Sequence, residues 1–460
     1  MFLVWLLAAQ LAAAAGLDQV EVGGLWGHPL STDATSVHWN PAGMAAESGT
    51  SFVLEGAPIF AAVEFDREHP HFGGNNSYRT TAVAPFAAFK TKIKQFAFGL
   101  AVAVPYGKSS RSLEGDFGTG SYTLIRGGSF TTALEAAVAW DFGQRVQIGG
   151  AFSAQMTQMG SHVNKSLVPE IVGFLGPLDY TEASLEDPDY ATTTHADGLK
   201  GIGFTGSIGL RVQLSPKWVY GISYLHGAPV SVNGEGRQKF ACGAPDDEIA
   251  QAALGAMGLC NADLQTQMNM RYTLPWRIQM ALQWNPNENL EITWMGTYVH
   301  WKTFSDYEIT ISEVDILNDV SERAAETLHS TRLMARDNQP TFWSAADVKY
   351  RFSRRVLLGG RLTYDHPAVP EYALSANNFD SPTVHVGALG AFEVVRNLQL
   401  GLGLTHQFIV PRRVTHGGFS MSLQPPEASQ ERWFWASNKG TYKGRITRMS
   451  LSIRGSFGGK

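Results

Sequence analysis

The 460-residue sequence predicts an all-β transmembrane protein: a single antiparallel outer-membrane β-barrel of about 14 strands with a small N-terminal helical plug in its lumen. Three observations carry that expectation. Apolar and polar residues alternate with period two along many segments, and short turns alternate strictly with long polar connections. Beyond residue 15 no apolar run is long enough to cross a bilayer as a helix. A bilayer tolerates no unpaired backbone, so strands that cross it must close on themselves.

Composition agrees. Charged residues are 17% of the chain, against about a quarter in soluble proteins. Aromatics reach 11%, and mean hydropathy is −0.11, as expected when one strand face meets lipid and the other water. A net charge of −5 with no basic cluster in the linear sequence argues against a nucleic-acid partner. No Pro/Ser-rich linker or charge run divides the chain.

Taken in order, residues 1–15 form an apolar run ending in Ala13-Ala14-Ala15, read as a secretory signal cleaved before Gly16. Residues 16–49 precede the first alternating segment. A 14-strand lumen is wide enough to need filling, so this stretch is expected inside it as a plug. Within it Asp33 is a candidate N-cap, and the turn Ala34 to Trp39 must stop at Asn40 because Pro41 follows. Gly43 then offers a change of backbone direction. Alone, the stretch reads as a cap and a tight turn.

The barrel occupies residues 50–460. Strands are expected near 50–64, 81–93, 95–106, 130–142, 144–158, 201–214, 217–228, 270–284, 289–303, 341–352, 355–366, 383–394, 397–409 and 444–457. Ile202, Phe204, Ile208, Leu210, Val212 and Leu214 alternate with Gly203, Thr205, Ser207, Arg211 and Gln213. Tyr272, Leu274, Trp276, Ile278, Met280, Leu282 and Trp284 repeat the pattern. Aromatics at the apolar ends (Trp218, Tyr220, Trp294, Tyr298) suit an interfacial girdle. Short turns such as Gly143-Gln144 and Arg396-Asn397 face the periplasm. The long segments 65–80, 107–129, 159–200, 229–269, 304–340, 367–382 and 410–443 read as external loops.

Several motifs resemble one known family. Asn40-Pro41-Ala42-Gly43, the third strand Phe96 to Gly107, Tyr364-Asp365-His366-Pro367 and Gly440-Thr441-Tyr442-Lys443-Gly444 are similar to the FadL family. Its members are outer-membrane transporters for long-chain fatty acids and other hydrophobic compounds. The resemblance spans the mature chain. One departure is that Gly458-Gly459-Lys460 follows Phe457, where family barrels finish on an aromatic residue.

The resemblance implies capture between external loops, a pocket beside the plug, and lateral exit where the third strand kinks inward. Gly99, Val104, Pro105, Tyr106 and Gly107 would border that gap. Pro105 cannot donate a ladder hydrogen bond, and Gly99 and Gly107 permit bulges. The alternative is a strand end at the membrane rim. Cys242 and Cys260, the only cysteines, fall in one external segment and read as a disulfide staple. Between them Asp246-Asp247-Glu248 opens a helical run, Ile249 to Leu259. Phe174, Leu175, Ile249, Leu254 and Met257 are candidates for the capture surface, the alternative being mutual packing of the two loops. Arg211, Arg277, Lys349 and Arg361 face the lumen and could meet an acidic head group. They could instead pair with Glu55, Glu135, Glu291, Asp347, Asp365 and Glu393.

Other constellations are weaker. Gly201-Ile202-Gly203-Phe204-Thr205-Gly206 matches a dinucleotide fingerprint but lies within an alternating strand with no helix after it. His28, His38, His69 and His71 lack metal-ligand spacing and read as loop and plug surface. No cofactor is expected, and no enzymatic activity. The expected partners are a hydrophobic small molecule, outer-membrane lipid and the barrel-assembly machinery, with the chain a monomer. Two other readings are an outer-membrane lipid-modifying enzyme and a nonspecific porin; residues 16–49 fit the porin poorly.

Overall fold

The structure is a computed structural model. It describes residues 20–458 except 69–72, 123, 144, 169–170, 172–174, 176–186, 305, 318–330, 336, 377 and 416–437. The leader expected at 1–15 therefore lies outside the described residues, as do His69, His71 and Phe174. Among the described residues, no helix is long and apolar enough to cross a membrane.

Fourteen strands close the wall. They are drawn from eighteen strands among the described residues, which in chain order begin with β1 (Gly49–Arg67), β2 (Gly74–Ile93), β3 (Phe96–Ser112), β4 (Arg126–Asp141), β5 (Val146–Ser166), β6 (Ala191–Ser215) and β7 (Trp218–Leu225). After β8 (Pro229–Phe240) and β9 (Asp263–Thr273) come β10 (Arg277–Asn287) and β11 (Leu290–Val299). Then follow β12 (Asp306–Ile316), β13 (Thr331–Ala335), β14 (Thr341–Arg351), β15 (Val356–Asp365), β16 (Thr383–Val395), β17 (Leu398–Val414) and β18 (Gly440–Phe457). Each wall strand pairs antiparallel with its neighbours, in the order β1 to β7, β10, β11 and β14 to β18. The ring closes from Thr50 against Phe457 to Arg67 against Gly440.

Strands β8, β9, β12 and β13 stand outside this ring and correct the reading of 229–269 and 304–340 as loops. β8 follows the upper part of β6, β9 lies on β8, β12 on β9 and β13 on β12. They continue wall strands past breaks at 226–228, 274–276 and 300–304. The middle break contains Pro275, which has no N–H for the ladder. Strands β5 and β6 also run on, to Ser166 and from Ala191, into the segment read as the loop 159–200. On β8, Ser231, Asn233, Glu235, Arg237 and Lys239 replace the apolar face that betrays a membrane strand.

Aromatics mark both membrane edges. At the short-turn end Phe96 stacks on Trp140 at 5.8 Å and Trp218 on Trp284 at 5.9 Å. At the other rim Trp276 lies 5.4 Å from Tyr298 and Phe342 stacks on His366. Between them Leu100, Leu134, Phe204, Leu402 and Leu451 stand exposed on the outer face, where they would meet acyl chains. The inner wall is different. Ala97, Ala101, Ala133 and Ala137 are small and buried, packed against Val20, Val22, Val37, Trp39 and Met44 of the N-terminal segment. Residues 20–45 thus lie within the barrel, and their helix α1 (Ser36–Trp39) is buried throughout.

Candidate functional site

The N-terminal segment is tied to the wall by specific bonds. Asp33 Oδ1 accepts from the Thr35 N–H at 2.9 Å, and α1 stops at Asn40, whose φ of −160° is extended. Asn40 Oδ1 then accepts from Ala42 N at 3.2 Å, opening a 3-10 turn over Pro41–Ala45. Its Nδ2 donates to the carbonyls of Pro29 and of Leu210 on β6, at 3.0 and 3.2 Å. Gly149 and Gly209 leave room for this contact: a Cβ on either would run into Pro41 or Asn40. Gly43 also serves close approach, since a Cβ there would strike the Ser31 carbonyl. Its φ is not positive, so the expected need for backbone freedom does not hold.

Buried charges complete the attachment. Arg361 makes two 2.6 Å bonds to Asp347 and donates to the carbonyls of Leu25 and Gly27 at 3.1 Å. Lys349 lies 3.1 Å from both Glu291 and His28. Arg454 reaches Asp33 at 2.8 Å and covers the Trp26 ring. Arg277 Nη2 lies 3.3 Å from His38 Nε2, and His38 Nδ1 lies 2.8 Å from Glu135. A donor on Nε2 leaves the His38 proton on Nδ1, so the imidazole links Arg277 on β10 to Glu135 on β4. His28 and His38 are therefore buried links, not the surface residues the sequence suggested. Of the four head-group candidates, Arg361 and Lys349 hold the N-terminal segment and Arg211 bonds Gln147. Arg277 is placed just below the break at 274–276.

The third strand departs from regular pairing where Pro105 sits. Against β2 the ladder runs from Phe96 to Val102, then resumes only at Arg111 opposite Arg79. Residues 80–86 of β2 and 103–110 of β3 share no ladder pair; the Thr80 hydroxyl meets the Ser109 carbonyl at 2.8 Å. Seven residues of β2 that pair with β1 but not with β3 span roughly 23 Å. Against β4, Val104 and Pro105 together stand opposite Thr132 alone, a β-bulge. Gly99 is not part of this break, being paired on both sides. Its missing side chain instead admits Met44 and Val37.

Beyond the bulge β3 turns into the barrel. Tyr106 is buried and lies 6.4 Å from Trp301, which follows β11 on the far wall. Tyr272, Leu274, Val299 and Phe304 pack in the same cluster, with Phe304 edge-on to Tyr272 at 5.3 Å. Trp301, Phe304 and Trp343 also line a small adjoining pocket of about 20 Å³, room for little more than a water, together with Lys108, Asp365 and Asp380. The sequence reading missed Trp301, Phe304 and Trp343. The signal was two aromatics within four residues just past a strand end.

The external loops pack on each other. Leu167, Val168 and Ile171 meet Ala250, Ala253, Leu254 and Leu259 in one buried cluster beneath helix α2 (Glu248–Ala256). Cys242 and Cys260 are bonded and close that loop. Leu254 is fully buried and Met257 partly so, which removes Leu254 from any capture surface; Ile249 and Leu175 are exposed.

Asp380, in the connection above β15 and β16, lies at the cavity edge. Its carboxylate accepts from the Ala368 and Val369 N–H groups at 2.6 and 3.1 Å. Burial outweighs these donors and Arg412, pushing the acid up to about 6. An acid raised in the fold stabilises it below the ordinary value near 4, and that contribution is lost as pH rises through about 6. Exchange of the Ala368 and Val369 amides, corrected for intrinsic rates, should therefore quicken between pH 4.5 and 7. Asp380→Asn should abolish the pH dependence; an unchanged profile would place its cause elsewhere.

Comparison with known proteins agrees with this architecture. A family model described as outer membrane protein transport protein (OMPP1/FadL/TodX) matches residues 5–409. The crystal structure of a Pseudomonas aeruginosa FadL homologue is similar at 13% identity and a TM-score of 0.75, covering 98% of this chain and 100% of that one. The P. putida toluene transporter TodX is similar at 14% identity and 0.64, with 96% and 99% covered. The CymD monoaromatic hydrocarbon channel gives 14% and 0.62, with 97% and 99% covered. A search of curated proteins found no significant match. The family match runs from residue 5 into β17, and the chain belongs to the OMPP1/FadL/TodX family of outer-membrane transport proteins.

Proposed function

We propose that hydrophobic cargo parts the packed aromatic cluster around Tyr106 and Trp301, hereafter the chamber, and leaves sideways between β2 and β3. The family makes the chain an outer-membrane transporter of hydrophobic compounds; the route applies to this chain the lateral exit that the family resemblance implies. The observation that carries it is the broken β2–β3 ladder, with Tyr106 turned from that break into the chamber. An apolar molecule gains nothing from a water-filled pore. Lateral passage into acyl chains keeps its surface dry, worth about 25 cal/mol per Å², or roughly 5 kcal/mol for 200 Å². In this reading residues 20–45 are a plug that closes the lumen to water. Ile249 and Leu175 are what remains of the capture surface.

Arg277, near the chamber floor, is the residue we assign to an acidic head group. A bare carboxylate in a dry site is costly, and a guanidinium offsets that cost. The similar structures include transporters of toluene and monoaromatic hydrocarbons, which sets compact aromatics beside fatty acids as cargo. Binding of labelled oleate and toluene to the purified barrel tests both assignments. Trp301→Ser should weaken both ligands about tenfold, the loss of roughly 1.4 kcal/mol of apolar contact. Arg277→Gln should weaken the acid alone. Unchanged affinities in Trp301→Ser would move the site, and equal losses in Arg277→Gln would make that arginine structural.

A further inference from the structure

Above the opening, register brings cations together that are distant in sequence. Arg79 of β2 stands directly opposite Arg111 of β3, and Arg111 opposite Arg126 of β4. On the other side Arg79 faces Ala62 of β1, which faces Arg445 of β18. Directly opposed residues share a face, and all four arginines are exposed, so the row lies on the outer surface. Five strands at 4.7–4.9 Å make it about 20 Å wide. Phe408 of β17, exposed in the lipid-facing band, stands opposite Arg445, which places the row at the upper edge of the apolar belt.

Like charges directly opposed across a sheet destabilise it. The protein supplies little to offset this. Arg126 has Asp197 at 3.8 Å, both more than half exposed, and no carboxylate partner is seen for Arg79 or Arg111 among the described residues. Arginine forks match phosphate oxygens in pairs, and an anion between two of them turns repulsion into two charge-assisted contacts. The level of the row is that of lipid head groups, and the apolar wall beneath it is that of acyl chains. The complement is a phosphate carried on a lipid.

We infer that Arg79, Arg111 and Arg126 bind the phosphate of an outer-leaflet phosphoglycolipid, whose acyl chains then lie over the β2–β3 opening. The wall lipid at that point is a specific ligand. The binding holds whether or not cargo leaves there, since it rests on charge and register alone.

The test uses the detergent-solubilised full chain and three probes: bis-phosphorylated lipid A, dephosphorylated lipid A and inorganic phosphate. The phosphorylated lipid should bind at least tenfold more tightly than its dephosphorylated form, and equimolar phosphate should not displace it. Arg79→Gln with Arg111→Gln should lose at least tenfold in affinity, while Arg79→Lys with Arg111→Lys keeps most of it. Heat-modifiable gel mobility reports assembly. Equal affinity for the dephosphorylated lipid overturns the inference, as does unchanged binding in the assembled Gln variant. Displacement by equimolar phosphate would make the row a free-anion site and overturn its lipid assignment. The wild-type arms decide the matter even if the Gln variant fails to assemble. None of them measures transport, so failure here is distinct from failure of the proposed exit route.

Discussion

Replacing Arg361 with Leu is expected to make the barrel conduct ions. The guanidinium neutralises Asp347 through two 2.6 Å bonds and holds the Leu25 and Gly27 carbonyls of the N-terminal segment. Removing it leaves a buried carboxylate without its cation, at a cost of about 3–5 kcal/mol, and frees two carbonyls. Water entering the lumen recovers much of that cost, so the variant favours a displaced segment by about two to three orders of magnitude. Single-channel conductance in planar bilayers reads this directly. Arg361→Leu combined with Asp347→Leu should return most of the closed behaviour, because no charge is then orphaned. If the single variant stays as closed as wild type, the pair does not hold the segment.

Clamping β2 to β3 is expected to stop transport. Ala84 and Val104 belong to one buried cluster and lie on the two sides of the broken β2–β3 ladder. Ala84→Cys with Val104→Cys would fix the bulged stretch to its neighbour. Uptake of labelled hydrophobic cargo into whole cells should fall at least tenfold and recover on reduction. The native Cys242–Cys260 bond would be reduced as well, so wild type with reductant is the control. Full uptake through the oxidised clamp would mean that the opening is not used.

The wall strands were legible because lipid imposes one rule on every outward residue. Ile202, Phe204 and Ile208 show it, and β6 is where they predict a strand. The extensions β8, β9 and β12 were not, because with water outside them Asn233, Glu235 and Gln267 are as acceptable as Val. Pro105, with no N–H to give the ladder, sits in the bulge of β3. Gly99 misled, since its smallness answers Met44 and Val37 across the lumen rather than a bulge. Charge assignments depended on partners far away in sequence. Arg361 with Leu25 and Arg277 with His38 are neighbours only after closure. The arginine row is invisible in the linear sequence for the same reason: Arg79, Arg111 and Arg126 become adjacent through register.

A photoreactive alkyl diazirine, added to the barrel in native outer-membrane vesicles and mapped by peptide mass spectrometry, separates the two ways out of the lumen. The other way is a polar opening beside the N-terminal segment, lined by Asp33, Glu47, Ser48, Lys90, Gln399 and Arg454. Lateral exit predicts adducts at Tyr106 and Trp301 and on 80–86 and 103–110, with few at the polar opening. Adducts on Glu47, Ser48 and Gln399, with none on 80–86 or 103–110, would contradict lateral exit and route the cargo through the lumen into the periplasm.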